Sequence, residues 1–163
     1  MSNFPASSGA DGGLSPARAA CILEERSAAL RAALAAMASK KILVVEDNED
    51  NRRILVYRLR KIGEFEIREA TNGLEALEQV RRDPPHLIFM DLKMPVMDGW
   101  EATRRIREMA VGDTVRIIAL TAQAMQGDEE KALAIGCDDY LAKPVVDPAL
   151  VRKKLERLLG VAA

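Results

Sequence analysis

The stretch MDLKMPVMDG, residues 90–99, carries an aspartate, Asp91, at the end of the apolar run HLIFMD. Burying an ionised carboxylate is costly unless a partner neutralises it. Three other apolar runs also end in polar residues. ILVV leads into Glu46 and Asp47, IIAL into Thr121, and DYLA into Lys143, which precedes Pro144. If these four ends lie side by side, three carboxylates, a hydroxyl and an ammonium share one pocket. Like charges 4 Å apart repel by about 4 kcal/mol at an effective dielectric of about 20, so the cluster implies a counter-charge. Lys143 supplies one unit, and a hard divalent cation with oxygen ligands would supply two. Few protein ligands and room for waters suit magnesium better than calcium. A carboxylate beside such a cation, a lysine and a hydroxyl can attack phosphorus and form an aspartyl-phosphate. Metal and lysine neutralise charge on the transferring group, and the Thr121 hydroxyl can donate to a phosphoryl oxygen. There is no Walker A loop and no G-x-G-x-x-G after the first run, so the phosphoryl donor is expected to be small or another protein.

The elements that must position these groups are legible as a regular alternation. KILVVE, FEIREA, HLIFMD, VRIIALTA and DYLAK read as strands. EDNRRILVYRLRKIG, NGLEALEQVRR, GWEATRRIREM, GDEEKALAIG and DPALVRKKLERLLG read as helices. Ile54, Leu55, Tyr57, Leu59 and Ile62 are expected on the buried face of the first helix, with Gly63 as its stop. Leu74, Leu77 and Val80 are expected on one side of the second. FEIREA alternates as an edge strand would. Asp98 and Asp147 are expected as helix caps, with Pro148 at a first helical position and Gly160 after the last helix. The central strands are apolar on both faces, the pattern of a parallel sheet covered on both sides. Right-handed crossovers bring the carboxyl ends of such strands to one edge, where ligands bind in open α/β sheets.

At 163 residues the chain holds one ordinary domain with room for an appendage. A hydrophobic share of 48% with 30% charged residues argues against global disorder. A net charge of −1 gives no long-range field to attract nucleic acid or an acidic membrane. The two cysteines, Cys21 and Cys137, have neither disulfide-scaffold nor zinc-site spacing, so a reduced, cytoplasmic setting is expected. No signal peptide and no membrane span is legible. No helix-turn-helix follows ERLLGVAA, so output is expected through protein contact.

Residues 1–14 are rich in Ser, Gly and Ala and read as a flexible tail. Ser15 and Pro16 begin an alanine-rich helical extension over 15–39, with Leu23, Leu30 and Met37 seven apart and Leu34 beside them. Two heptads are too few for an independent coiled coil. The stripe therefore either docks on its own domain or frays in solution, or it joins a partner or a second copy. Met37, ahead of ASKKILVVEDN, is an alternative start. Residues 40–160 hold the alternating domain.

With ILVVEDN, MDLKMPVMDG, LTA and YLAKP in this order and spacing, residues 40–159 resemble the response-regulator receiver domains of two-component signalling, the CheY-like family. The resemblance implies a flavodoxin-like (βα)5 sheet in strand order 2-1-3-4-5. It implies Asp91 as phospho-acceptor, with Mg2+ held by Asp47, Asp91 and the Lys93 backbone carbonyl, and by Glu46 through water. Thr121 and Lys143 would contact the phosphoryl group, and Tyr140 would be the switch aromatic. Lys93 and Gln123 would occupy the positions that tune phosphate lifetime, and the Lys143–Pro144 bond would be cis. Glu46 stands where aspartate is commoner, a mild departure that should leave metal binding intact. The donor would be a histidine kinase or histidine phosphotransfer protein, and the listener a protein effector. Phosphorylation would act through helix four, strand five and helix five, a surface that could also form a homodimer, as could the N-terminal helix. The wider likeness is to bacterial stand-alone regulators of the DivK type, or to a receiver module of a hybrid histidine kinase.

Competing roles exist for several of these residues. Asp47 could be the first helix cap, Thr121 a strand-end hydroxyl, Lys143 a surface lysine and Tyr140 a core aromatic. Met94 and Met97 read as loop packing, Trp100 as packing at its helix start, and Cys137 as a small core residue. His86 lies at the far end of its strand from Asp91, which argues against a phosphohistidine role. A haloacid-dehalogenase-type phosphohydrolase would want an aspartate where Lys93 stands. A flavodoxin-like flavin protein would want a hydroxyl- and glycine-rich loop where EDNEDNRR stands. The chain is thus expected to label itself and hydrolyse slowly, not to turn over substrate as an enzyme.

Overall fold

The computed structural model describes Ser15, Arg18, residues 22–28, Arg31, and residues 40–122, 128–145 and 147–160. Residues 1–32 and 33–163 form separate compact units. In the first, the backbone N–H of Arg18 donates to Ser15 Oγ at 3.3 Å, the bond expected of an N-cap serine. Residues 22–28 are helical, with Leu23 68% exposed. The remainder of the Leu30–Leu34–Met37 stripe, the 1–14 tail, Cys21 and the Met37 start lie outside the described residues. Among the described residues, no helix is long and apolar enough to cross a membrane.

The second unit alternates β1 (Lys41–Val45), α1 (Glu49–Ile62), β2 (Glu66–Ala70), α2 (Gly73–Arg82), β3 (Leu87–Asp91), α3 (Gly99–Arg107), β4 (Arg116–Thr121), α4 (Asp128–Ala134), β5 (Asp139–Ala142) and α5 (Pro148–Leu159). The five strands are all parallel, in order β2-β1-β3-β4-β5. This is the doubly wound, flavodoxin-like arrangement. Period-two alternation sends Ile42, Val44, Leu87, Phe89, Ile118 and Leu120 into one core, and Leu43, Val45, Ile88, Met90, Ile117 and Ala119 into the other. Leu55, Val56, Leu59 and Ile62 of α1 and Val151 and Leu155 of α5 cover the first face. Ala76, Leu77 and Val80 of α2, Ala102 and Ile106 of α3 and Ala132 of α4 cover the second. The strand order reverses at β1, so right-handed crossovers place α1 on one face and α2–α4 on the other.

Local chemistry sets most boundaries as expected. Asp98 caps α3 by accepting from the Glu101 N–H at 2.9 Å, and Asp147 caps α5 by accepting from the Ala149 N–H at 2.8 Å. Gly160 ends α5 in the left-handed region at φ 65°, the conformation glycine adopts without Cβ strain. At the start of α2, Asn72 accepts from the Glu75 N–H while the Glu75 carboxylate accepts from the Thr71 N–H, a capping box whose return bond falls one residue before the cap.

Three expectations need correction, and one competing role falls away. Ile54 and Tyr57 are 49% and 62% exposed, and Val56 is buried in their place on the inner face of α1. Leu74 is 43% exposed, and Gly73 and Ala76 lie buried with Leu77 and Val80. The cap of α1 is Asn48, whose Oδ1 accepts from the Asn51 N–H at 3.0 Å, and not Asp47. β2 is an edge strand but does not alternate cleanly: Arg68 is half-buried and donates to the Asp83 carbonyl at 2.7 Å.

His86 ties three strands at the edge opposite Asp91. Its N–H donates to the Lys41 carbonyl, its carbonyl accepts from the Arg116 N–H, and its ring Nδ1 accepts from the Lys41 N–H at 3.0 Å. That last bond needs a neutral ring. Desolvation, then the charges of Lys40 and Lys41, hold its pKa below the usual histidine value. A histidine depressed in the folded state stabilises the fold above its unfolded pKa of about 6.5, and the contribution is lost as pH falls. The thermal midpoint of the wild type should therefore drop more between pH 7.5 and 5.5 than that of His86→Gln. Parallel pH curves for the two proteins would contradict this role.

Candidate functional site

The parallel register brings the strand ends together. Val45 pairs with Met90, Asp91 with Leu120, and Thr121 with Ala142, so the polar residues that end β1, β3, β4 and β5 meet at one edge. Asp91 and Glu46 are only 3% and 2% exposed. Lys143 holds both: its Nζ donates to Asp91 Oδ2 at 2.8 Å and to Glu46 Oε2 at 2.7 Å. The Lys93 N–H donates to Asp91 Oδ1 at 3.1 Å. Carboxylate oxygens of Glu46, Asp47 and Asp91 lie within 4.8 Å of one another, Asp47 at the exposed side. Three carboxylates against one ammonium leave two negative charges, which a divalent cation would balance. An all-oxygen donor set of this kind fits a hard cation.

Burial raises the pKa of Asp91 above the ordinary aspartate value, and the nearby Glu46 charge adds to this. The hydrogen bonds from Lys143 and from the Lys93 N–H oppose the rise without cancelling it. Desolvation pulls Lys143 down, but its bonds to Asp91 and Glu46 outweigh that and leave its pKa raised. The lysine is therefore charged throughout the physiological range.

The cavity over these groups has a volume of about 200 Å³ and is lined by Asp47, Lys93, Trp100 and Thr121 besides Glu46, Asp91 and Lys143. Thr121, at the end of β4, is 7% exposed, and its carbonyl accepts from the Lys143 N–H at 2.7 Å. The Lys143–Pro144 peptide is cis, as expected. Gln123 lies outside the described residues. Trp100 packs partly against the core at the start of α3, as expected, and also lines the cavity, which was not. Met94 and Met97 pack partly on the same core.

Tyr140 sits on β5, half-buried. The Glu129 carboxylate of α4, with burial, raises the pKa of its hydroxyl, and the Lys154 ammonium lies 5.3 Å from its ring centre. Asp139 beside it is buried and accepts from Lys154 at 2.7 Å and from Arg157, fastening β5 to α5. Cys137 is buried near Thr103, packed in the core as expected, and burial pushes its thiol up to about 11, which disfavours the reactive thiolate.

Two residues escaped the sequence reading. Asn51 Nδ2 donates to Glu46 Oε1 at 3.2 Å, and Arg52 Nη1 donates to the Glu46 carbonyl at 2.9 Å while its Nε donates to Glu69 at 2.9 Å. Both lie in the first turn of α1, and only the strand-to-helix turn brings them back over Glu46.

Comparison with known proteins agrees with this geometry. The family described as "Response regulator receiver domain" matches residues 42–156. Hybrid signal transduction histidine kinase G of Dictyostelium discoideum is 48% identical over 107 residues, which is 64% of this chain but 3% of that protein. The polar-differentiation response regulator DivK of Brucella anthropi is 37% identical over 123 residues, 76% of this chain and 98% of its own length. Among solved structures, the receiver domain of sensor histidine kinase PA1611 from Pseudomonas aeruginosa has a magnesium ion coordinated in its active-site cleft. It matches with TM-score 0.69 and 40% identity, covering 75% of this chain and 98% of that one. A chain from the co-crystal of the Saccharomyces cerevisiae histidine phosphotransfer protein Ypd1 with the receiver domain of Ssk1 matches with TM-score 0.69 and 38% identity. It covers 76% of this chain and 92% of that one. The converging strand ends, the lysine-bridged carboxylates and these matches have one common reading: the chain belongs to the response-regulator receiver family of two-component signalling.

Proposed function

We propose that the chain is a stand-alone receiver, working over residues 40–160, that accepts a phosphoryl group on Asp91. The donor would be a phosphohistidine of a histidine kinase or phosphotransfer protein. An Asp91 oxygen attacks phosphorus, the bond from phosphorus to the donor imidazole nitrogen breaks, and the electron pair leaves with the imidazole. The carrying observation is Lys143, bound at once to buried Asp91 and buried Glu46. It keeps the nucleophile ionised against its raised pKa and is placed to neutralise the incoming group. Glu46, Asp47, Asp91 and the Lys93 carbonyl would hold Mg2+, which when bound neutralises phosphoryl charge. Thr121 would donate to a phosphoryl oxygen.

The added group carries about −1.5 to −2 charge and strong acceptor oxygens. Drawing Thr121 toward it would move the chain after β4, and Tyr140, which lies beside Lys154 on β5, would follow. Output would then pass to a protein effector or a second copy through α4, β5 and α5, with Lys93 and Gln123 tuning phosphate lifetime. A cytoplasmic setting suits such a partner. Residues 15–39 would serve as an appended helix for docking or dimerisation.

Incubation with a small acyl-phosphate donor, followed by intact mass, tests the assignment. Wild type should gain one phosphoryl group only with Mg2+, and Asp91→Ala none. An adduct of equal yield in Asp91→Ala would move the acceptor elsewhere, and no adduct under conditions that label a control receiver would end the proposal.

A further inference from the structure

We propose that Asn51 is a positioning residue for the metal site: its side-chain amide anchors Glu46 so that a glutamate can serve at that place. The inference rests on the proposed Mg2+ site above and adds a residue to it. A glutamate has one more methylene and one more rotatable bond than aspartate, so more freedom must be removed to hold its carboxylate still. Lys143 occupies Oε2 at 2.7 Å, and Asn51 Nδ2 occupies Oε1 at 3.2 Å, so the carboxylate is gripped from two sides. The anchor is itself fixed. The Asn51 N–H donates to the Asn48 cap at 3.0 Å, which sets the first turn of α1. Next to it, Arg52 Nη1 donates to the Glu46 carbonyl at 2.9 Å and holds the backbone beneath the same side chain. Asn51 is solvent-exposed on α1 and takes no part in either core cluster, so its contact with Glu46 is not a by-product of packing. An aspartate at position 46 would be one methylene shorter and would fall out of reach of the amide. The longer side chain and the amide therefore form one unit, and outer ligand partners of this kind set metal affinity.

A double-mutant cycle in the full chain tests this. Trp100, the single tryptophan, lines the cavity, so Mg2+ binding can be followed by its fluorescence and, independently, by calorimetry. Asn51→Ala should weaken Mg2+ affinity about tenfold, the low end for loss of an outer partner, because Lys143 still holds the other oxygen. Its melting temperature should fall only modestly, because alanine is a better helix former and partly offsets the lost amide bond to the buried Glu46 carboxylate. In Glu46→Asp, the same Asn51→Ala change should cause no further loss, the mark of two residues acting together. Wild-type affinity in Asn51→Ala, or losses that multiply in the double variant, would overturn the inference while the metal site stands. If wild type itself shows no saturable Mg2+ binding that Asp91→Asn weakens, the site assignment fails and the role of Asn51 falls with it.

Discussion

Gly99→Ala is expected to lose about 3–5 kcal/mol of stability, the range of severe single substitutions, measured by urea unfolding. A Cβ on Gly99 would collide with the Asp91 carbonyl oxygen and would lie 2.8 Å from its carbonyl carbon and 2.9 Å from Leu92 Cα. All three are backbone atoms, so no side-chain rotation relieves the contact. The Gly99 N–H also donates to the Leu92 carbonyl at 3.2 Å, which pins the start of α3 against the end of β3. Either the start of α3 must move away or the β3 end, and with it Asp91, is pushed out of place. Molecules that still fold should therefore take up little phosphoryl group from an acyl-phosphate donor. Wild-type stability with wild-type labelling would show that the α3 start is far more yielding than this geometry allows.

Lys143→Ala is the second large effect. It removes the cation shared by two carboxylates that are almost fully buried, and breaking a buried ion pair by deleting one partner costs about 3–5 kcal/mol. Loss of one charge-stabilising group in such a pocket should also slow phosphorylation by about 10²–10³-fold. The pH dependence has a definite sign. Asp91 is already raised by burial, and without Lys143 it would favour protonation further in the folded state. A carboxyl raised on folding makes the fold more stable as pH falls through that raised value. The stability gap between Lys143→Ala and wild type should thus narrow from pH 7 to pH 5. In the wild type, the raised Lys143 pKa acts with the same sign in a higher pH window: its contribution is intact below about pH 10.4 and lost as pH rises beyond that. Equal urea midpoints for the two proteins at pH 7 would remove Lys143 from its place as the bridge.

The helices show where sequence pattern stops. α1 carries Ile54, Leu55, Val56, Tyr57 and Leu59 almost in a row, so its sequence names an apolar helix without naming its inner face. The sheet decides that Leu55, Val56, Leu59 and Ile62 turn inward and leaves Ile54 and Tyr57 at the surface. Leu74 is excluded in the same way, because Gly73, Ala76, Leu77 and Val80 fill the contact of α2 with the sheet. Caps were easier, because Asp98 and Asp147 bond within three residues of themselves and need no distant partner. Asp47 failed as a cap because Asn48 stands one residue nearer the helix.

By itself, the sequence determined the alternation of strands and helices, the parallel sheet and the residues that end its strands. Periodicity and strand length are local properties, and a carboxylate at the end of an apolar run demands a partner wherever the run is placed. Tertiary structure alone decided how those ends are wired. Lys143 reaches across 97 residues to Glu46 and 52 to Asp91, Asn51 folds back over Glu46, and Trp100 turns toward the same cavity. Such contacts depend on strand register, crossover hand and the exit angle of each helix. Those quantities exist only once the sheet has assembled, and spacing along the chain does not encode them.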